Sequence, residues 1–319
     1  MAETFSTPAY SVQNYASYRP SYPPELYQAI MDYHQASGEL AIDLGCGTVE
    51  LGSALDEHQN ESDQGSADQN PIGQKTYIFK GIVSAELVRQ GYFNRVVGVD
   101  PSKPMLDHAK KTITNAEFVH GRAESLPWIT NGSVDLLVAG TAAHWFDPTW
   151  WKEAGRILKP QGTLAVFVYG GLWPDPGHPC AQELRATMFS FAEELGFSSE
   201  GNRICHHMYD ELPLPDMSDK GNLGDFERID WNRNGLGDQL VMADRIKLHA
   251  WRERARTYGP AHRWQIDNPT KVGDKLLDPV EKTLTALKSI LETEDDELEI
   301  VCGHSLSLLL FRRRVDCAK

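Results

Sequence analysis

Basic residues are in short supply in this chain: 31 Lys and Arg stand against 45 Asp and Glu in 319 residues, a formal charge of −14 at pH 7. Enzymes of nucleic acids normally carry a basic footprint that neutralises phosphates, so the balance argues against a nucleic-acid partner. Cysteine is scarce too. Cys46, Cys180, Cys205, Cys302 and Cys317 are odd in number and include no C-x-x-C pair. Reduced thiols in an intracellular protein explain that pattern better than a disulfide framework or a zinc site. Neither His178 nor the pair His206-His207 has a partner at metal-ligand spacing, so no metal is expected. No apolar run reaches the length of a membrane span, and the N-terminus lacks the apolar core of a signal peptide. The expectation is a soluble cytoplasmic protein without a membrane partner. What is present is 41% hydrophobic residues, enough for one large domain or a domain with a cap.

The most informative stretch is Ala41-Ile42-Asp43-Leu44-Gly45-Cys46-Gly47-Thr48. An apolar strand running into such a turn should next supply another glycine, because backbone there has to approach a ligand. Val49 follows instead, and a largely polar run extends to Lys80 before Gly81 opens Ile82-Val83-Ser84-Ala85-Glu86-Leu87-Val88. Without residues 49–80 the chain reads Asp-Leu-Gly-Cys-Gly-Thr-Gly-Ile-Val-Ser-Ala, a nucleotide-binding loop split by an insertion. Further on, Arg95-Val96-Val97-Gly98-Val99-Asp100 is a short apolar run ending in an acid. Asp43 and Asp100 lie 57 positions apart, or 25 once the 32 inserted residues are discounted. Carboxylate recognition of a ribose diol about 20 residues past a glycine turn is common to dinucleotide-binding folds.

The joined sequence resembles the class I methyltransferases that use S-adenosylmethionine, and looks most like their trans-aconitate-methyltransferase-like branch. The likeness is strongest over residues 10–170. It implies that Asp43, Gly45, Gly47 and Gly81 wrap the methionine end of the cofactor and that Asp100 holds the ribose hydroxyls. It also implies roles for the proline-rich segment Tyr15 to Pro24, which in relatives folds over the cofactor. Tyr18, Arg19 and Tyr22 are candidates there, unless these aromatics only pin the N-terminus to the core. In relatives an Asp-Ala-Glu-x-Leu-Pro loop borders the adenine. Here it reads Arg122-Ala123-Glu124-Ser125-Leu126-Pro127, so the usual Asp contact is lost while Ala123 and Glu124 keep their backbone contacts available.

Strand and helix signals alternate as strand 40–44, helix 82–90, strand 95–100, helix 102–112, strand 116–119, strand 134–139, helix 149–158 and strand 162–168. The strands are short and almost continuously apolar, as when helices cover both faces of a parallel sheet. The expected fold is α/β and Rossmann-like: a doubly wound, mostly parallel seven-stranded sheet with an antiparallel C-terminal hairpin and an inserted cap. Its divisions are a lid and helix (1–38), a cofactor-binding core (39–171), a substrate cap (172–295) and closing strands (296–319). Within the last two, 243–258 is expected as a helix, and 298–302 with 306–313 as the hairpin.

Methyl transfer from a sulfonium is a one-step displacement in which the protein aligns the partners. His144 and Trp145 follow the fourth strand of the pattern, at the edge where open α/β sheets bind ligands. His144 is the candidate base, and His-Trp in relatives lies close to the transferring methyl; shaping the pocket wall is the alternative for both. Trp145, Trp251 and Arg256 are the candidate acceptor contacts, with Arg252, Arg254 and Arg263 as further cations able to meet a carboxylate. The acceptor expected is a small molecule methylated on a carboxylate or hydroxyl oxygen.

Residues 49–80 admit three readings: a surface loop, a retained intron or a regulatory insert. Val is encoded by GT-N and Lys by AAG, so the segment can begin GT, end AG and keep the frame. The retained intron is favoured because excising it restores the loop. The mature transcript decides that hypothesis by containing those codons or lacking them. With the insert present, the amides opening the next helix need not reach Gly47, and weak cofactor binding or a non-catalytic protein is the resulting alternative. A nicotinamide oxidoreductase is the other; the joined loop is Gly-x-Gly-x-Gly rather than Gly-x-Gly-x-x-Gly, and no Tyr-x-x-x-Lys pair appears.

Overall fold

The computed structural model describes residues 21–47, 50–51, 79–80, 83–197, 199–218, 221–237 and 240–315. Helix α1 (Pro24–His34) starts with proline at its first position and buries Leu26, Tyr27, Ile30 and Tyr33 along one stripe. Then follow β1 (Gly38–Leu44), the two-residue strands β2 (Glu50–Leu51) and β3 (Phe79–Lys80), α2 (Val83–Gln90), β4 (Phe93–Asp100), α3 (Lys103–Thr112), β5 (Glu117–His120) and β6 (Val134–Gly140). A 3-10 turn at Ala143–Trp145 leads to α4 (Trp150–Ile157) and β7 (Leu158–Pro174). The second half holds α5 (Ala181–Leu195), α6 (Glu200–His206), β8 (Leu223–Trp231), β9 (Val241–Lys247), α7 (Leu248–Thr257), α8 (Gly259–Asp267), α9 (Pro279–Ile290) and β10 (Glu299–Arg313).

The main sheet has the order β5-β4-β1-β6-β7-β10-β8, with β9 pairing on β10. Strands β5, β4, β1, β6 and β7 run parallel, whereas β10 is antiparallel to β7, β8 and β9. Alternate residues of the central strands feed two cores. Ile42, Leu137 and Val166 face α4, while Ala41, Leu136, Val138 and Phe167 face α1 and α2. Each fully buried Leu or Val here contributes about 1.5–3 kcal/mol, which explains the nearly continuous apolar runs.

The doubly wound, mostly parallel sheet with antiparallel closing strands agrees with the expectation, and three details differ. The sheet has eight strands rather than seven. The segment expected as one helix over 243–258 divides into β9 and α7, because Arg245, Ile246 and Lys247 pair with Val301, Ile300 and Glu299. The expected hairpin is a single 15-residue strand: β10 passes straight through Gly303-His304-Ser305, with a register shift between His304 and Ser305 where it pairs with β7. The antiparallel neighbour that closes the sheet is β8, which comes from the segment read as cap.

Asp135 on β6 fixes the start of β1. Its Oδ2 accepts the amides of Glu39 and Leu40 at 2.9 and 3.0 Å, and its Oδ1 meets Lys159 Nζ at 2.8 Å. Burial pushes this carboxyl up, but Lys159 and the two amides outweigh it and hold the group below the usual range. A folded-state pKa below the unfolded one gives stability above pH ~4 that is lost as pH falls through the folded value. Asp135→Ala should therefore lower the unfolding free energy by about 2–3 kcal/mol at pH 7. Urea midpoints across pH check this, and the gap to the parent chain should close in acid.

Candidate functional site

At the C-terminal end of β1 the chain turns through Gly45 and Gly47, both left-handed with φ of +68° and +65°. A side chain at Gly45 would run into Ala142, its Cβ only 2.5 Å from that methyl group. At Gly47 no described atom lies within 4 Å of a Cβ position, so a ligand can come up to the backbone. The turn is tied to the neighbouring strand: the amides of Gly45 and Cys46 donate to Val99 O at 2.8 and 3.1 Å. Gly47 N then donates to Asp100 Oδ2 at 3.0 Å, and Ser102 N donates to Oδ1 at 2.7 Å. Each Asp100 oxygen keeps a further lone pair, as a ribose diol requires. Burial pushes the Asp100 carboxyl up, and the two amides and His120 draw it back.

Asp43 is only 1% exposed. Its Oδ2 accepts both the amide and the hydroxyl of Ser84, at 2.9 and 2.6 Å. Burial pushes its carboxyl up to about 6 despite those donors, and the nearby Asp100 adds to the rise. The first turn of α2 docks on the end of β1 although residues 49–80 lie between them. Glu50 and Leu51 pair with Lys80 and Phe79, which brings the two ends of the inserted segment side by side. Tyr18, Arg19 and Gly81 lie outside the described residues.

The loop expected to border the adenine is held from below. Arg122 meets Glu124 at 3.5 Å, and Glu124 Oε1 accepts the Asp147 amide at 2.8 Å. Glu124 thus joins this loop to the one carrying His144 and Trp145. Ala123 is buried beside it.

His144, the candidate base, and Trp145, an expected acceptor contact, are carried by the 3-10 turn. Thr141 enters it with φ +49°, a strained conformation for a β-branched residue. Its amide donates to Phe167 O at 2.7 Å, and its hydroxyl pairs with Tyr22 OH at 2.9 Å. Tyr22 in turn packs edge-on against Phe167 and Tyr169, so the one described member of the proposed lid residues anchors the N-terminal segment at the site. His144, 9% exposed, places Nδ1 3.0 Å from Tyr209 OH and its ring 4.4 Å from that of Trp145. Helix α6 closes over them through Gly201. A Cβ there would stand 2.3 Å from the Trp145 ring and 2.7 Å from His144 O, so only glycine allows the approach.

Two expected acceptor contacts lie inside the cap instead. Trp251 is buried in the cap core, edge-on to Phe191. Arg256 binds Asp278 at 3.0 Å and Glu281 at 2.6 Å, and Arg252 lies 3.3 Å from Glu281. Arg254 turns the other way: it donates to His304 Nε2 at 2.7 Å, while His304 Nδ1 meets Gly171 O at 2.6 Å. Tyr209 and Ser84 escaped the sequence reading. Ser84 is legible in hindsight as the helix-opening donor after the missing glycine, whereas nothing in His206-His207-Met208-Tyr209 marks a residue that meets His144.

Residues 79–166 match the family model described as a methyltransferase domain. A Saccharomyces cerevisiae protein assigned as an S-adenosylmethionine-dependent methyltransferase is 27% identical over 319 residues, covering 94% of this chain and 95% of that one. A trans-aconitate 2-methyltransferase of Shigella dysenteriae is 27% identical over 123 residues, covering 37% of this chain and 45% of its own length. The chain spans about half the length of most of the curated relatives it matches. Among solved structures, a protein of Anaeromyxobacter dehalogenans assigned as a type II methyltransferase superposes with a TM-score of 0.58 at 20% identity, covering 93% of this chain and 97% of that one. That likeness shows the fold.

Two variants test the site as built. Asp43 has a folded-state pKa of about 6, above an unfolded value of ~3.9. The folded chain therefore takes up a proton across that window and gains stability as pH falls through it. Ser84→Ala should cost about 1–3 kcal/mol at pH 8, and less at pH 5 where Asp43 is neutral; chemical denaturation at the two pH values reads the difference. Arg256→Met leaves Asp278 buried without its cation and Glu281 with Arg252 alone. It should destabilise the fold by about 3–5 kcal/mol and leave affinity for S-adenosylmethionine unchanged, whereas an arginine serving substrate alone would not move the melting temperature.

Proposed function

We propose, from the premise that this chain carries an S-adenosylmethionine-dependent methyltransferase domain on the class I α/β fold, that it methylates an oxygen of a small metabolite, a carboxylate or a hydroxyl. The observation that carries this is one of placement. Gly47 and Asp100 offer an open glycine turn and a diol-binding carboxylate at the ends of β1 and β4. His144 and Trp145 follow the adjacent β6 under a cap helix that closes on them. Open α/β sheets bind ligands at this edge.

S-adenosylmethionine supplies the methyl group on a sulfonium when bound, and so the difficult chemistry. The chain's own residues orient the partners and exclude water, where alignment alone is worth about 7–11 kcal/mol. Asp100 and the amides about it hold the ribose. Trp145 gives an aromatic wall, which attracts a cation by about 0.5–2 kcal/mol. His144 is the polar group beside that wall. An anionic acceptor is supported by Arg254, the cap arginine that donates to His304 on the sheet side. The Shigella relative, named for a tricarboxylate, supports the same class.

Calorimetric titration of S-adenosylmethionine into the full chain and into a form lacking residues 49–80 tests the cofactor site. Both should bind within about tenfold of each other, because Asp100 and Asp43 anchor the two halves of the loop separately. Asp100→Ala should weaken binding by about 10–100-fold, the loss of one to two strong hydrogen bonds. Binding by neither form rejects the reading. Label transferred from methyl-tritiated cofactor to a panel of carboxylic acids and phenols tests the acceptor. Release of that label as methanol in mild base marks an ester, and retention marks an ether.

A further inference from the structure

Strands β7 and β10 fall out of step at the level of the cap. His304 stands opposite Leu172 and Ser305 opposite Gly170, so Gly171 is the extra residue of a bulge. Its backbone is left-handed at φ +57°, and a Cβ there would stand 2.4 Å from the Trp173 ring, so the position requires glycine. The Gly171 carbonyl meets the His304 ring, 2.6 Å from Nδ1. The other edge of β10 pins the same residue. Asn232 Nδ2 donates to His304 O at 3.2 Å, and Ser305 Oγ donates to Asn232 O at 2.7 Å. His304 is 5% exposed, and its Nε2 lies 2.7 Å from Arg254 Nη2 on α7.

The chemistry of these two partners fixes the hydrogens. A carbonyl oxygen only accepts, so Nδ1 carries the hydrogen that meets Gly171. A guanidinium only donates, so Nε2 meets Arg254 with its lone pair. A ring with hydrogens on both nitrogens, or on Nε2 alone, would set N–H against N–H at 2.7 Å. The imidazole is therefore neutral and protonated on Nδ1. We propose that His304 is a positioning residue, which in this tautomer aims the Arg254 guanidinium of the cap at the methyl acceptor.

This deepens the proposed function of the site and rests on it. Gly171 lies beyond Phe167, the partner of the last residue of β6, so the bulge stands past the sheet edge that carries His144 and Trp145. The His304 ring is edge-on to Tyr169 at 5.1 Å, and Tyr169 to Tyr22 at 6.0 Å. Tyr22 meets the hydroxyl of Thr141, which opens the turn carrying His144. One wall of side chains leads from Arg254 to that turn. An arginine has many rotamers, and a bond to a fixed ring selects its direction before a substrate arrives. The imidazole does so without the negative charge that Asp278 and Glu281 bring to Arg256.

The test begins with long-range proton–nitrogen correlation NMR on the full chain labelled with 15N-histidine, with His304→Gln to assign the signal. A pyrrole-like Nδ1 and a pyridine-like Nε2 are expected, and Arg254→Met should shift Nε2. The reverse pattern, two protonated nitrogens at neutral pH, or an Nε2 indifferent to Arg254→Met overturns the pairing without reference to any activity. His304→Asn keeps a donor for Gly171 and loses the acceptor for Arg254. That variant, or His304→Ala where it fails to fold, should raise KM for the methylated acceptor by about tenfold and leave kcat and the affinity for S-adenosylmethionine within about twofold of the parent. His304→Gln, which keeps an acceptor for Arg254, should recover most of the loss. An unchanged KM, or a loss in kcat alone, overturns the positioning role. A panel with no acceptor methylated rejects the proposed function and with it the role of Arg254, whereas the spectra still decide the pairing.

Discussion

Everything at this site hangs on a carboxylate buried at the end of the central strand. Asp43 is 1% exposed, and burial, with a smaller push from Asp100, raises its carboxyl to about 6 against the pull of the Ser84 donors. Removing such a charge from water is tolerated only where donors replace the solvent. Both replacements come from Ser84, 41 positions further along the chain. The consequence is architectural: the group that cannot remain alone fixes where α2 begins. Beside it Asp100 does the same for the glycine turn through the Gly47 amide. Two acids on neighbouring strands thus define the floor of the candidate site, and each is positioned by backbone that the parallel register of β1 and β4 sets.

The surroundings of His144 and Trp145 follow another logic. Their parts come from the two halves of the chain, and the contact between them is steric before it is polar. Gly201 lets α6 settle on Trp145, and only then can Tyr209 reach His144. The charges of the cap are spent elsewhere: Arg252 and Arg256 turn towards Glu281 and Asp278, which lock α7 to α9. A half-buried guanidinium surrounded by carboxylates of its own fold has a structural task, and its pairing is costly to break. Arg254 differs in that it donates to an imidazole, His304 on β10.

How much of this could be read from the sequence divides along physical lines. Strand and helix periodicity over 38–168 was legible because each element buries its own apolar run, a local property. Asp43, Gly45, Gly47 and Asp100 were legible because a glycine turn with an acid at a fixed distance is local as well. Strand β10 was not: a Gly-His-Ser break in an apolar run reads as a turn, and only pairing on both sides carries the chain through it. The same holds for β9, whose Ala-Asp-Arg-Ile-Lys suits a helix until Glu299 to Cys302 offers it a ladder. Tyr209 lies 65 residues from His144, and the helix partners of Arg256 are 22 and 25 residues away. Nothing local encodes such meetings.

The insertion is where local and global constraints part. As a string, residues 49–80 break the glycine turn that follows β1. In three dimensions the turn is two pieces, each with its own attachment. Gly45, Cys46 and Gly47 are bonded to β4, and Ser84 to Asp43. The short ladder of Glu50 and Leu51 with Lys80 and Phe79 sets the two chain ends side by side. Closing a segment of 27 residues between Leu51 and Phe79 costs about 3 kcal/mol in loop entropy, and the cost grows only slowly with length. Halves held independently do not need a direct covalent link to keep their geometry. The origin of the segment, as intron or as loop, is then a question of the transcript, while the architecture of the site follows from the two buried acids.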